Sequence, residues 1–250
     1  MSAAPAFPVR LPDPARRPFA DSHLAQRLVQ VAQLPAEARV LGLGGGSNSL
    51  AWTLALDYRI EALIAVPDEA SRELEQARIK EAGVEDRVQA RAVDISRLPF
   101  RDGEFHLAIA ESQLWLPPEK LLPLLRRHLV PSEGRLAFTW PVRVGRGGPV
   151  GDGAWSACTG GALMLPRELL ALMAARGFEP EDALTLDRGQ LEAIYRDWAV
   201  LPEDAPGDPV FRREALRQLE DPRPLSATWG LMVGRRQEPG ERPYQTHDRG

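Results

Sequence analysis

Between Arg39 and Trp140, short apolar runs alternate with longer segments whose apolar positions recur at helical spacing. Arg39-Val-Leu-Gly-Leu, Ala62-Leu-Ile-Ala-Val, Val88 to Val93, Phe105-His-Leu-Ala-Ile-Ala and Gly134-Arg-Leu-Ala-Phe-Thr-Trp read as strands. Leu50 to Asp57, Glu69 to Ala82 and Pro118 to Leu129 read as the helices between them, with Gly83 placed to close the second and Pro118 tolerated in the first turn of the third. Upstream, Asp21 or Ser22 can cap a helix that carries Leu24, Leu28 and Val31 on one face and runs to about Leu34 before Pro35. Strands apolar on both faces that alternate with helices predict a parallel sheet covered on both sides, hence an α/β fold.

After Trp140 the alternation breaks. Pro141 to Gly161 is glycine-rich and reads as one long irregular segment, and loops of that length inside a compact domain are often functional. Pro166 to Arg176 reads as a helix, Ala183-Leu-Thr-Leu as a strand, Gln190 to Leu201 and Phe211 to Leu219 as helices, and Thr228-Trp-Gly-Leu-Met-Val-Gly as a final strand. The expected organisation is a proline-rich arm over residues 1–20, a single domain over 21–236 with insertions at 141–163 and 187–225, and a polar tail over 237–250. No internal repeat is visible.

Composition narrows the function classes. The chain has 250 residues, too few for two full domains, and its 44% hydrophobic and 26% charged content suits a folded globular protein. A net charge of -4 disfavours general binding to nucleic acid, whose phosphates call for a cationic surface. One cysteine, Cys158, excludes an internal disulfide framework and any metal site built from several thiolates. No run approaches the roughly 18–20 apolar residues that span a bilayer, and the proline-broken start lacks the apolar region of a signal peptide. A cytoplasmic location and no membrane contact are therefore expected. A homodimer or a protein partner stays open.

The chemistry begins at the turn after the first strand. Four glycines lie within Gly42 to Gly46, and a strand, glycine turn and helix lets a ligand approach the backbone beyond the strand ends. Gly42-x-Gly44 followed by Ser47 nearly matches the dinucleotide fingerprint, so a nicotinamide cofactor is one candidate. Asp68, after the second strand, could accept the ribose hydroxyls of either NAD or S-adenosylmethionine, and could also cap the helix beginning at Glu69.

Asp94-Ile-Ser-Arg-Leu-Pro-Phe-Arg-Asp-Gly-Glu-Phe separates the two. Its acid after the third strand, its Leu98-Pro-Phe100 and its Asp102-Gly103 turn, with Leu129-Val-Pro-Ser-Glu-Gly-Arg-Leu downstream, resemble class I S-adenosylmethionine-dependent methyltransferases. The nearest likeness is to the small-molecule branch that includes the ubiquinone/menaquinone and arsenite enzymes, over roughly Val40 to Trp140. The resemblance implies a Rossmann-like, doubly wound, mostly parallel seven-stranded sheet with an antiparallel last strand and helical insertions near the C-terminus. It also implies S-adenosylmethionine as cofactor and a small molecule as methyl acceptor. Gly44, Gly46, Ser47 and Asn48 would line the methionine end, Asp68 the ribose, and Asp94 with Ile95 the adenine, while Glu111 and Ser112 would face both cofactor and substrate.

The chain departs from that pattern in places. Gly42 stands where the family has an acid, Asn48 where it has a third glycine, and His106 where it has the Asp of Phe-Asp. If the chain is an enzyme, the expected compensation is Glu111 balancing the cofactor's ammonium, with Gly42→Asp strengthening S-adenosylmethionine binding or at least not harming it. An alternative is a catalytically silent protein on the same fold. Methyl transfer is an in-line displacement that alignment and desolvation can serve, with a base where the acceptor carries a proton. Glu111 and His106 are the candidate bases. Trp115, Trp155, Cys158, Tyr195 and Trp198 are candidates for the substrate side. Each has a packing role as its alternative, and Tyr195 and Trp198 have the helical spacing of a core face. Arg126-Arg-His128 and Arg235-Arg236 read as solvated helix and strand ends.

Overall fold

A computed structural model describes residues 22–44, 49–111, 116–144, 159, 162–199, 216–217, 220, 225–238 and 240. Helix α1 (Ser22–Ala32) leads into β1 (Arg39–Leu43), and α2 (Leu50–Tyr58), β2 (Glu61–Val66), α3 (Glu69–Ala82) and β3 (Val88–Ala92) follow. A single 3-10 turn, Ile95–Arg97, precedes β4 (Leu107–Ala110), α4 (Pro118–His128) and β5 (Arg135–Arg143). The described chain continues with α5 (Pro166–Ala175), β6 (Phe178–Thr185), α6 (Arg188–Ala199) and β7 (Ala227–Arg236). Of the expected helix at Phe211–Leu219 only Leu216 and Arg217, both helical, are described, and the arm over 1–20 and most of the tail lie outside the described residues.

The strands form one seven-stranded sheet in the order β3-β2-β1-β4-β5-β7-β6. The pairs among β1 to β5 are parallel, whereas β7 runs antiparallel to both β5 and β6. The order reverses between β1 and β4, which opens a crevice at the carboxyl ends of those strands. The core follows the sheet: Val40, Leu41, Ile64, Leu107, Ile109, Leu136 and Phe138 are buried in the strands, and Leu54, Ile79, Leu122 and Leu169 come from the helices.

Several boundaries differ from the pattern-based expectation; the largest shift is in β6, which begins at Phe178 rather than Ala183 and ends at Thr185. Pro141, Val142 and Arg143 belong to β5, so the strand runs three residues into the segment expected to be irregular. Proline survives there because of the direction of its missing N–H. Val144 donates to Ser226 on the β7 side and Arg143 donates to Met164 on the other, so the odd positions face away from β7. Pairing with β4 has already ended at Phe138, which leaves no ladder bond for Pro141 to break. At the other end of the sheet, Phe105 and His106 fall outside β4, and Phe105 forms only an isolated bridge with Leu129.

Three arginines of the two basic runs, Arg126, Arg235 and Arg236, are internal ties, whereas Arg127 is solvated as expected and pairs on the surface with Asp102. Arg126 Nε donates to the carbonyl of Gly177 at 3.1 Å. Its guanidinium fills the space a side chain at position 177 would need, and Gly177 has φ +82. Arg235 Nε reaches Glu179 at 3.1 Å, and Arg236 donates to the carbonyl of Leu129. Arg27 of α1 holds Asp182 of β6 through two bonds of 2.8 and 2.9 Å.

A buried carboxylate joins α2 to α3. Glu75, 2% exposed, accepts from Trp52 Nε1 at 3.0 Å and from Arg78 Nη1 at 2.9 Å. Removing a donor from a buried acceptor costs its desolvation, so Trp52→Phe should lower stability by about 1–3 kcal/mol in urea denaturation. Glu181 behaves oppositely. Burial pushes its carboxyl above the usual range, although Arg135 at 3.3 Å pulls it back. A carboxyl raised on folding contributes stability while protonated and loses it as pH climbs from the unfolded value of about 4.3. Glu181→Gln should therefore match or exceed the native melting temperature at pH 7, with the difference vanishing near pH 4. A deficit confined to neutral pH would mean that the Arg135 pair outweighs burial.

Candidate functional site

The carboxyl ends of β3, β2, β1 and β4 stand side by side, and each is followed by a residue singled out in the sequence. Leu43 pairs with both Ala65 and Ala110, and Val66 pairs with Ala92. The next residues along the rim are therefore Gly44 and Glu111 at its centre, then Asp68 after β2 and Asp94 after β3. Gly44 has φ +93, a conformation that favours glycine, and its N–H donates to the Ala65 carbonyl at 2.8 Å. The glycine requirement at this turn is thus real at Gly44.

Gly42 owes its identity to packing. A Cβ there would lie 2.7 Å from Ala51 Cβ of α2 and 3.1 Å from Ile64 Cδ1 of β2. Helix α2 rests on the bare backbone of β1, so no acid fits where the family pattern has one. The expectation that Gly42→Asp would be tolerated is overturned by this contact.

Glu111 supplies a carboxylate from the neighbouring strand instead. It is 4% exposed, and its Oε2 accepts from the backbone N–H of Leu50, the first residue of α2, at 2.6 Å. The positive end of the helix is a favourable place for an acidic side chain. Ser49, whose hydroxyl accepts from Trp52 N at 3.3 Å, completes the cap. The two ends of the glycine turn are thus fixed: one by the Gly44 pairing, the other by Glu111. Nothing in the sequence pointed to the Leu50 amide as its partner, because the contact spans 61 positions.

Asp68 is the N-cap of α3, accepting from Ser71 N at 2.8 Å. Asp94 caps the 3-10 turn, its Oδ1 accepting from Ser96 N at 2.9 Å and Ser96 Oγ at 2.6 Å. Those bonds, the hydroxyl first, hold its carboxyl below the usual range, so it stays ionised into acid. Both use Oδ1, which leaves Oδ2 of this exposed side chain for a ligand's donor. Ile95 begins the turn and is buried, as are Leu98 and Phe100. Phe100 stacks edge-on against Phe105 at 5.3 Å, so the Leu-Pro-Phe run anchors the turn that presents Asp94.

His106 is not part of this rim. Its Nδ1 accepts from Arg39 N at 3.2 Å, and its own N–H donates to the Arg39 carbonyl at 2.9 Å. Arg39 begins β1, so His106 sits at the amino ends of the strands. The length of β4 separates it from Glu111, about 16 Å for five residues. Its role as a base is corrected to that of a strand-entry tie. Tyr195 is fully buried among the core residues, with Leu191 and Ile194 of the same helix beside it in that cluster. Its helical spacing therefore reports core packing. Trp198 shares helix α6, but its side chain is outside the described residues, as are Gly46, Ser47, Asn48, Ser112, Trp115, Trp155 and Cys158. Among the described residues no group of His, Cys, Asp and Glu could hold a metal ion, and no helix is long and apolar enough to cross a membrane.

Substitutions at Glu111 and Gly42 should both destabilise the fold, to different degrees. Glu111→Gln keeps the shape but replaces a charged acceptor with a neutral one, and should cost about 1–3 kcal/mol in chemical denaturation. Gly42→Asp should be more damaging, because the helix must shift to admit the side chain, and should lower the melting temperature by several degrees or more. A stable Gly42→Asp protein with native-like thermal unfolding would show that α2 is not seated on β1 as described.

No known family profile and no curated protein sequence matches the chain. Solved structures do. One is the (4+2)-cyclase SpnF, with TM-score 0.69 and 22% identity over 87% of this chain and 82% of that one. Another is geranyl diphosphate C-methyltransferase from Streptomyces coelicolor, in complex with Mg2+, geranyl diphosphate and S-adenosyl-L-homocysteine. It gives TM-score 0.66 and 17% identity over 86% of this chain and 79% of that one. A third is phosphoethanolamine N-methyltransferase 2 from Haemonchus contortus, in complex with phosphomonomethylethanolamine and S-adenosylhomocysteine. There the TM-score is 0.68 and identity 12%, over 86% of this chain and 53% of that one. With its strand order, its antiparallel β7 and these likenesses, the chain has the fold of the class I S-adenosylmethionine-dependent methyltransferases.

Proposed function

We propose that the chain is a cytoplasmic S-adenosylmethionine-dependent methyltransferase acting on a small molecule. The observation that carries this reading is the row Asp94, Asp68, Gly44 and Glu111 along four adjacent strand ends at the switch point. The donor set fits a nucleoside with a charged amino-acid end. Asp68 offers a carboxylate to the ribose hydroxyls while capping α3, and Asp94 offers Oδ2 to the adenine amino group. Gly44 lets the chain turn close to the methionine end. Complexes of two of the structural neighbours contain S-adenosylhomocysteine, in keeping with this assignment. A single cysteine suits a reducing compartment.

When bound, S-adenosylmethionine supplies an electrophilic methyl group on a sulfonium. The chain's own contribution is alignment. Glu111 fixes the start of α2, and so the far end of the glycine turn, by holding the Leu50 amide. It thereby does from β4 the organising that an acid at position 42 does in the family pattern. Its burial means that it is already committed to that bond, so it orients the turn rather than moving a proton.

A second reading has two observations in its favour. Gly42 in the acid's place and the likeness to a cyclase both suit a chain that binds a nucleoside without transferring its methyl group. Calorimetry with S-adenosylmethionine, S-adenosylhomocysteine and NAD should show binding of the first two and none of NAD. Asp94→Ala should weaken S-adenosylhomocysteine about tenfold, the loss of one hydrogen bond to a charged acceptor. Gly44→Val should abolish binding with the sheet retained by circular dichroism, since valine resists positive φ. Binding of NAD alone, or affinity indifferent to Asp94, would overturn the proposal. Binding without methyl transfer to any of a panel of small acceptors would favour the second reading.

A further inference from the structure

We propose that Arg143 determines substrate specificity by donating to an oxyanion, a carboxylate or a phosphate, carried by the methyl acceptor. The inference rests on the methyltransferase reading above. Arg143 ends β5, at the same rim as Glu111. Register fixes its face. Paired strand positions share a face, and the side chain at Gly42 would point at α2. Carried through Ile109 and Ala137, and then along alternate positions of β5, that face also holds Glu111, Thr139, Pro141 and Arg143. Thr139 lies beside Glu111 by continuation of the Ala110–Phe138 pair, and Arg143 is four residues further, about 13 Å. Cation and buried acid are thus aligned on one side of the sheet, at the carboxyl ends of the adjacent strands β4 and β5.

The Nε of Arg143 is shut off from solvent and has no hydrogen-bond partner, as is true of Arg87 and Arg236. What sets Arg143 apart is that its other guanidinium nitrogens make no hydrogen bond or ion pair either among the described residues. Among the described residues the other partly buried arginines are all engaged: Arg72 with Glu69, Arg78 with Glu75, Arg87 with Asp86, Arg135 with Glu181, and Arg126, Arg188, Arg235 and Arg236 likewise. A guanidinium is always charged and strongly favours an acceptor once partly desolvated. Its backbone is rigidly placed, with Arg143 N donating to Met164 O and Val144 N to Ser226 O, both at 2.9 Å. An arginine held on a strand end with its fork unspent is preorganised for bidentate recognition of a carboxylate or phosphate.

The test observes that group directly. The Arg143 Nε–H resonance of the 15N-labelled full chain is assigned by its loss in Arg143→Lys. Inorganic phosphate and acetate are then added at constant ionic strength, with chloride and acetamide as comparators, in the presence and absence of S-adenosylhomocysteine. The resonance should shift saturably with phosphate or acetate and with neither comparator, and which anion acts separates the two sources of the oxyanion. In Arg143→Gln, the dissociation constant read from the Val144 amide should rise at least tenfold, with partial recovery in Arg143→Lys and S-adenosylhomocysteine affinity within twofold of native. No saturable shift, an equal response to chloride, or an unchanged constant in Arg143→Gln would overturn the proposal. Failure to bind S-adenosylhomocysteine alongside an Arg143-dependent anion response would instead remove the methyltransferase reading and leave an anion site.

Discussion

Helix α2 lies directly on the backbone of β1 at Gly42, and much of the site depends on that contact. The approach leaves no space for a side chain, since even a Cβ would come within 2.7 Å of Ala51. In exchange, the amino end of α2 is brought within reach of β4, where Glu111 holds its first amide. A buried carboxylate is costly without a donor, and a helix amino end is rich in unsatisfied N–H groups, so each meets the other's need. The departure from the family pattern at position 42 and the buried acid at 111 are therefore two sides of one packing solution.

The same geometry divides the sheet into two working ends. Parallel strands place all their carboxyl ends on one rim, where loops can gather polar groups around a ligand. Gly44, Asp68, Asp94 and Glu111 are there. The opposite rim is used for closure. Arg39 pairs with Glu104 at 3.0 Å and lies over the Phe105 ring, and His106 is bonded to the Arg39 backbone on both sides. A polar residue at the amino end of a strand can look chemically attractive and still be out of reach of the crevice.

Arginine use tells a related story. The side chains of Arg27, Arg126, Arg235 and Arg236 reach across elements to carboxylates or backbone carbonyls and bind the later part of the chain together. This is where the antiparallel pairings of β7 replace the βαβ repeat, and where helices no longer cross over between neighbouring strands. The guanidinium fork is suited to capping several carbonyls at once. A basic dipeptide such as Arg235-Arg236 thus measures internal tying rather than surface charge.

The sequence by itself determined the elements and their class. Periods of two and of three to four, read with Gly83 and Pro118, placed α3 with the bounds observed, and apolar runs marked β1, β2, β4, β5 and β7, whereas the polar first half of β6 was missed. Asp68 and Asp94 were legible because capping and strand-end positions depend on neighbours a few residues away. Gly44 was legible as a glycine that the turn demands. What only the tertiary structure decided were the contacts between residues distant in the chain. Gly42 was read as a missing acid, but its neighbour Ala51 sits on a helix whose approach no local pattern encodes. Glu111 carried no mark of its bond to Leu50, and His106 differed from a rim residue only by lying at the other end of a strand. Pro141 looked like a break because proline forfeits a ladder bond, and only the end of β4 beside it makes that loss harmless. Local propensity and periodicity are short-range and survive in one dimension, whereas close packing and partner choice are settled only when separate elements meet.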